Sequence, residues 1–398
     1  MSLDLSKVAS QVTGMVTQRK KGSAERQERL SYALSTMQAA DFEKLQKKVA
    51  VSRTTWLVTG LVDGLAQTCP SPAPPAEFTI LATDGSNIDV DRHRTARCYL
   101  INIGTVVLKY GVNPDAKLDS FPHLYSGDAE LVIAPQGTRD REQVIEGTLL
   151  GIKRSVDECS YLAKLSTELP SDSKSLALLD GSLILWGLGS KDYPDFVIEA
   201  LLENGMLHYL DEIRKLNQNR QLALGSYISF PRSNDVTNAL RVALCPHEVV
   251  DTDHCTDCKT RNCEKIAGIN DRDLFDRILK KGERSSLFIN RSSVVREHYG
   301  IHQIYFFYLK SDEEIARIEV PQWVAVNPEL LNLTHSLVLD QCRRGQGYPV
   351  ALSEAHEQAV VTGADRENFW QLVESSLIEE HMPTSASAKS QSKRTRWV

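Results

Sequence analysis

Two short segments carry the residues best suited to chemistry. Ile80-Leu81-Ala82-Thr83-Asp84-Gly85-Ser86 and Leu178-Leu179-Asp180-Gly181-Ser182 each set an aspartate behind an apolar run and before Gly-Ser. The apolar runs read as buried strands, which predicts that each holds its carboxylate at a sheet edge. The glycine would let the backbone turn away without a Cβ clash. Two such strands side by side would bring two carboxylates together, and these repel unless a cation sits between them. Oxygen ligands of this kind suit Mn²⁺ or Mg²⁺. Neighbouring acidic strand ends serve two-metal phosphodiester hydrolysis, where one metal activates water and the other steadies the leaving oxygen. An isolated Asp-Gly is ordinary turn chemistry, and the alternative here is a pair of plain turns.

A second cluster is built from sulfur. Cys245, Cys255, Cys258 and Cys263 fall within nineteen residues, with His247 and His254 among them. In a reducing compartment such a cluster points to metal more than to disulfides. Four thiolates could make a tetrahedral Zn²⁺ site, and a Cys₄ iron–sulfur cluster needs the same ligand count. Zinc is the first expectation. The alternative is a loop of free thiols, since a second Cys-x₂-Cys is lacking.

The elements that must position these residues follow from periodicity. Residues 3–66 read mostly as helix, with Leu30, Leu34, Met37, Phe42, Leu45 and Val49 at helical spacing. Cys69-Pro70-Ser71-Pro72-Ala73-Pro74-Pro75 then closes the helical region as an extended linker. Strands are predicted at 78–82, 96–108, 130–134, 175–179, 222–230, 302–309 and 316–320. Helices are predicted at 139–169, 196–216, 235–242 and 271–280, and from Glu329 and Asp365. Strands mixed with helices across 77–381 give one large α/β domain with an N-terminal helical extension, 1–70. Residues 245–263 read as a Cys-rich insertion, and 382–398 as a disordered basic tail.

Order and spacing of several segments resemble the NurA nucleases, partners of the HerA hexameric DNA translocase. The resemblance spans residues 77–381. It rests on Thr83-Asp84-Gly85-Ser86, Leu179-Asp180-Gly181-Ser182-Leu183, Gly282-Glu283-Arg284-Ser285-Ser286-Leu287-Phe288, Ala316-Arg317-Ile318-Glu319-Val320-Pro321-Gln322-Trp323, and the segment from Gly347-Tyr348-Pro349 to His356. It implies an RNase-H-like mixed sheet core flanked by helices. It further implies a Mn²⁺-dependent nuclease on single- and double-stranded DNA, with 5′-to-3′ exonuclease action, working as a homodimer in DNA-end processing. The family's acidic ligands fall on Asp84 and Asp180, with a third on a preceding helix. Glu158 matches best, with Asp157 and Glu146 as rivals because helix register is not fixed by sequence. The family's late Tyr and His fall on Tyr348 and His356, the histidine as ligand or proton shuttle. Arg284 and Glu319 read as structural partners rather than catalytic groups.

Charge is unevenly placed. The net charge is −6, yet residues 1–53 carry ten Lys/Arg against five Asp/Glu, and the tail from Met382 carries four basic residues and no acid. An acidic middle with basic ends fits a divalent-metal site flanked by nucleic-acid contacts, or plain solvated surface. No apolar run approaches the roughly 20 residues of a membrane span, and no secretory signal pattern is present, so a cytoplasmic protein is expected. No GxxxxGK[ST] loop occurs, so any ATP use falls to a partner such as a HerA-like ATPase. The other readings are a NurA-like scaffold without turnover and a nuclease acting on RNA.

Overall fold

The protein is described from a computed structural model covering residues 4–90, 96–135, 141–189, 193–217 and 219–382. The chain forms two compact units. The basic tail beyond Met382 lies outside the described residues.

The larger unit comprises residues 71–228, 292–304 and 318–398. Its sheet has β1 (Phe78–Ile88), β2 (Tyr99–Tyr110), β3 (Asp115–Tyr125), β4 (Lys174–Asp180) and β5 (Gln221–Ile228), in the order β3-β2-β1-β4-β5. β1, β2 and β3 form an antiparallel meander, and β4 and β5 add on parallel to β1. Three antiparallel strands followed by parallel ones give the mixed sheet expected of an RNase-H-like core. Ser175 through Leu179 on β4 are all buried, as a strand covered on both faces requires. Helix α1 (Thr148–Thr167) packs on β1, helix α2 (Pro328–Arg344) on β5, and helix α3 (Val350–Ala359) on β1 and β2.

Alternation along β1 puts α1 and α3 on opposite faces of the sheet. Thr83 donates from its hydroxyl to the Glu158 carbonyl on α1 at 3.0 Å. Ser86 donates to the Ala359 carbonyl on α3 at 2.5 Å. Asn102, opposite Ser86 in the ladder, donates to the same carbonyl at 2.9 Å. Gly104, opposite Asp84, lets α3 approach so closely that a Cβ there would stand 2.2 Å from the Ala355 carbonyl oxygen.

The smaller unit comprises residues 1–70, 229–291 and 305–317. Helices Leu5–Ala39 and Phe42–Val51 share a core with helices Asp235–Leu244 and Asp271–Ile278, through Leu30, Met37, Leu45, Leu240 and Phe275. Asp271 is fully buried and caps the Asp235–Leu244 helix, accepting from the Val236 and Thr237 N–H groups and from the Tyr308 hydroxyl. The predicted Cys-rich segment belongs to this unit. Its cysteines carry no disulfide.

Several expectations are corrected by the fold. The strand predicted at 78–82 does not stop before Asp84; β1 runs on through Asp84-Gly85-Ser86 to Ile88, because the whole stretch pairs with β2. The strand predicted at 130–134 shrinks to Val132–Ile133 and pairs with Gln143–Val144 in a separate two-stranded sheet, which delays the predicted helix to Thr148. β3 was not predicted. It is an exposed edge strand, so no buried face stamps alternation on its sequence. The predicted helix at 196–216 contains a π-helical stretch, Glu199–Met206.

Candidate active site

Asp84 and Asp180 come together through strand register. β1 and β4 pair in parallel with Thr83 opposite Leu179, and one step further along both strands lie Asp84 and Asp180. Neighbouring strands stand about 4.8 Å apart, which brings the two carboxylates close enough for the charge of Asp84 to act on Asp180. Asp180 ends its strand as predicted. Gly181 follows in the left-handed region at φ 81°, where a side chain would strain the turn. The turn is pinned by a residue outside the predicted site. Glu319, 1% exposed, accepts from the Ser182 hydroxyl at 2.7 Å and the Leu183 N–H at 3.1 Å. The sequence signal for Glu319 was its apolar strand, Ile315–Pro321, in which a carboxylate must have partners.

Gly85 has a different task from the predicted turn. It faces α1, on the side of the sheet opposite Asp84. A Cβ there would stand 2.6 Å from Glu158 Oε1 and 2.8 Å from Arg154 Cγ. The missing side chain is the gap through which the Glu158 carboxylate reaches the strand that carries Asp84. Gly85→Ala is therefore expected to displace Glu158 and Arg154, whose side chains can yield more easily than backbone. The stability loss should be small, about 1–2 kcal/mol, and the loss of activity disproportionate. Urea denaturation read beside cleavage rate checks this, and an unchanged rate would remove Glu158 from the site.

The face of α1 settles the register left open by sequence. Glu158 is buried at 7% exposure and points to β1. Asp157 turns instead to Lys153 at 2.5 Å and the Tyr125 hydroxyl at 3.1 Å. Glu146 precedes the helix. Arg154 Nε stands 3.2 Å from Glu158 Oε1, close enough for an ion pair but not aligned as a hydrogen bond. The Glu158 carboxyl is raised to about 8, first by burial, against the pull of Arg154 and with the charges of Asp84 and Asp180 adding to the rise. Asp180 is also raised, first by burial, against a hydrogen bond from Tyr348.

The last two predicted residues enter from α3 and the turn before it. His356 Nδ1 lies 2.8 Å from Asp84 Oδ2, and its side chain is 62% exposed. An ionised carboxylate can only accept, so Nδ1 donates. The Tyr348 hydroxyl is directed at Asp180, and its ring meets Tyr227 edge-on at 5.3 Å. Tyr227 is the β5 partner of Asp180. Contacts thus link His356 to Asp84 and Tyr348 to Asp180, and the charges of both aspartates reach Glu158. Among the described residues, no three His, Cys, Asp or Glu side chains are already drawn close enough to clasp an ion, here or at the cysteines.

The profile of the NurA domain matches residues 78–361. A solved structure described as "Crystal structure of NurA with manganese" aligns at 11% identity over 84% of this chain and 94% of that one, with a TM-score of 0.31. No curated protein is matched. The domain match covers more than half of the chain, from the first residue of β1 to just past α3, and the chain belongs to the NurA domain family.

Proposed function

We propose that the protein is a metal-dependent deoxyribonuclease whose site is formed by Asp84, Glu158, Asp180 and His356, with Tyr348 as a positioning residue. The observation that carries this reading is the register of β1 and β4, which sets two aspartates side by side. The donor set fits a hard divalent cation. Three carboxylates lie near enough to feel one another's charge, and Glu158 and Asp180 are both held above the ordinary carboxylate range, in part by the charge of Asp84. A cation there would reverse that penalty. Asp84, Asp180 and Glu158 would hold it through oxygen and His356 through Nε2, a set suited to Mn²⁺ or Mg²⁺. When bound, such an ion supplies Lewis acidity toward the phosphate and its attacking water. The neighbour solved with manganese is described in those terms, and its likeness is too distant to decide the metal.

The chain's own groups supply the rest. Asp84 accepts from His356 Nδ1, which leaves Nε2 to ligate the ion or to pass a proton. Tyr348 and the Gly181 N–H hold Asp180 in place. This hydroxyl is engaged with Asp180, so it positions a carboxylate rather than the phosphate. The family is one of nucleases associated with HerA, and we extend to this chain a HerA-like hexameric ATPase as partner, a homodimer, and 5′-to-3′ action at DNA ends. No described helix is long and apolar enough to cross a membrane.

The test is degradation of end-labelled linear DNA with Mn²⁺ or with chelator, by the wild-type chain and Asp180→Asn, beside a matched RNA. Cleavage of DNA that needs Mn²⁺ and vanishes in Asp180→Asn supports the reading. Equal cleavage by both proteins would overturn the site. Cleavage by neither, even with the ATPase added, would mean a scaffold. Faster cleavage of RNA would change the substrate.

A further inference from the structure

We propose that Cys245, Cys255, Cys258 and Cys263 hold a thiolate-ligated metal centre that staples residues 251–265 in the smaller unit, separately from the nuclease site.

The first observation is a segment without a core. Val250 and Ile266 are buried, but none of the fifteen residues between them is. Residues 251–265 contain no apolar side chain besides the three cysteines. Yet the backbone is turned twice into short helical pieces, Thr252–Asp257 and Asn262–Ile266. Its entry is fastened to the N-terminal part of the unit, where Arg53 donates to the Val250 carbonyl at 2.7 Å and Thr252 donates to the Arg53 carbonyl at 3.0 Å. Among the described residues, no such backbone pairing fastens 253–261 to the rest of the unit. Fifteen residues ordered without hydrophobic burial carry a large entropy cost, and small metal sites offset that cost in just such segments.

The second observation is what the turns surround. A cavity of about 540 Å³ is lined by all four cysteines and by His247 and His254. Cys245 reaches it as the C-cap of helix Asp235–Leu244. The others arrive from the two short helical pieces and the turn between them. The thiols stand around the cavity rather than meeting at a point, so a bound centre would draw them inward.

The third is the donor geometry at one sulfur. Arg261 lies in the left-handed region at φ 42°, uncommon for a residue with a side chain. Just before it, the Thr260 hydroxyl stands 3.6 Å from the Cys258 sulfur. Polar groups set against a sulfur are the outer contacts that steady a metal-bound thiolate. Arg241 also lines the cavity, stacked on Trp56 at 4.2 Å, with its Nε buried and unpaired. A guanidinium there offsets the negative charge that four thiolates leave on a divalent ion or cluster.

One zinc ion and an iron–sulfur cluster share this thiolate chemistry, and the experiment separates them. The full chain is purified without oxygen and without a metal-affinity tag, then assayed for zinc, iron, acid-labile sulfide and visible absorbance. About one zinc per chain with no colour identifies Zn²⁺. About two or four irons with matching sulfide and a brown chromophore identify a cluster. Cys255→Ser and Cys258→Ser should lose the bound metal at least tenfold and open 251–265 to limited proteolysis, while Cys69→Ser, outside the segment, should keep it. If those variants fail to accumulate, the wild-type protein still decides. A folded wild-type chain that holds no metal, and takes up neither Zn²⁺ nor iron with sulfide, overturns the proposal. So does metal retained in full by both variants.

Discussion

Asp84→Asn is expected to lower metal-dependent DNA cleavage by roughly a thousandfold and to leave the metal-free chain at least as stable to heat as the wild type. The two halves of this expectation have one cause. Asp84 is placed by strand register beside Asp180, and its charge helps to hold both Asp180 and Glu158 above the ordinary carboxylate range. Removing that charge relieves a repulsion that serves nothing in the absence of a cation. The amide oxygen can still accept from His356 Nδ1, now 2.8 Å from the carboxylate, so α3 should keep its place. The measurement is cleavage rate at saturating Mn²⁺ beside thermal unfolding in chelator. Activity retained would take Asp84 out of the site. Activity and stability lost together would make it a packing residue, and the nuclease site would have to be sought elsewhere. Ser86→Ala gives the contrast, since it removes the hydroxyl that ties β1 to the end of α3. It should cost about 1 kcal/mol of stability and far less activity.

The site was legible in the sequence wherever one strand or motif carried it. Asp84 and Asp180 stand behind apolar runs, and a buried strand shows in composition alone. What could not be read was which partner each residue meets. Gly85 looked like a turn because Asp-Gly-Ser is turn chemistry locally. Pairing with residues of β2 overrides that preference and makes the glycine a gap for Glu158. The choice of Glu158 over Asp157 depends on which face of α1 meets the sheet, and adjacent helical residues differ by about 100°. Glu319 and Arg154 were passed over for a related reason. Each acts on the site through a neighbour, Ser182 in one case and Glu158 in the other. β3 left no trace because exposure on both faces removes the alternation that betrays a strand.

Glu158→Gln is expected to remove the pH dependence of stability that Glu158 imposes on the metal-free protein. The Glu158 carboxyl titrates near 4.5 when unfolded and is pushed up to about 8 by burial in the fold. Between those values the native chain holds a proton that the unfolded chain has released. Stability therefore falls as pH rises through this window, by up to about 1.4 kcal/mol per pH unit. It is fully present below the lower value and lost by the upper one. Glutamine has no proton to lose, so the variant should be the more stable protein at about pH 8.5, by several degrees in melting temperature, with the two curves meeting near pH 4.5. Manganese should act in the opposite sense. An ion that needs the ionised carboxylate binds wild type more tightly as pH rises toward 8, by up to tenfold per unit, and should recover the lost stability. The glutamine variant should gain little from Mn²⁺ at any pH. Thermal unfolding from about pH 5 to pH 8.5, with and without Mn²⁺, checks all of this. Parallel curves for the two proteins would mean that Glu158 stays ionised on Arg154 throughout. The third carboxylate would then be a structural ion pair, and cation binding would rest on Asp84, Asp180 and His356.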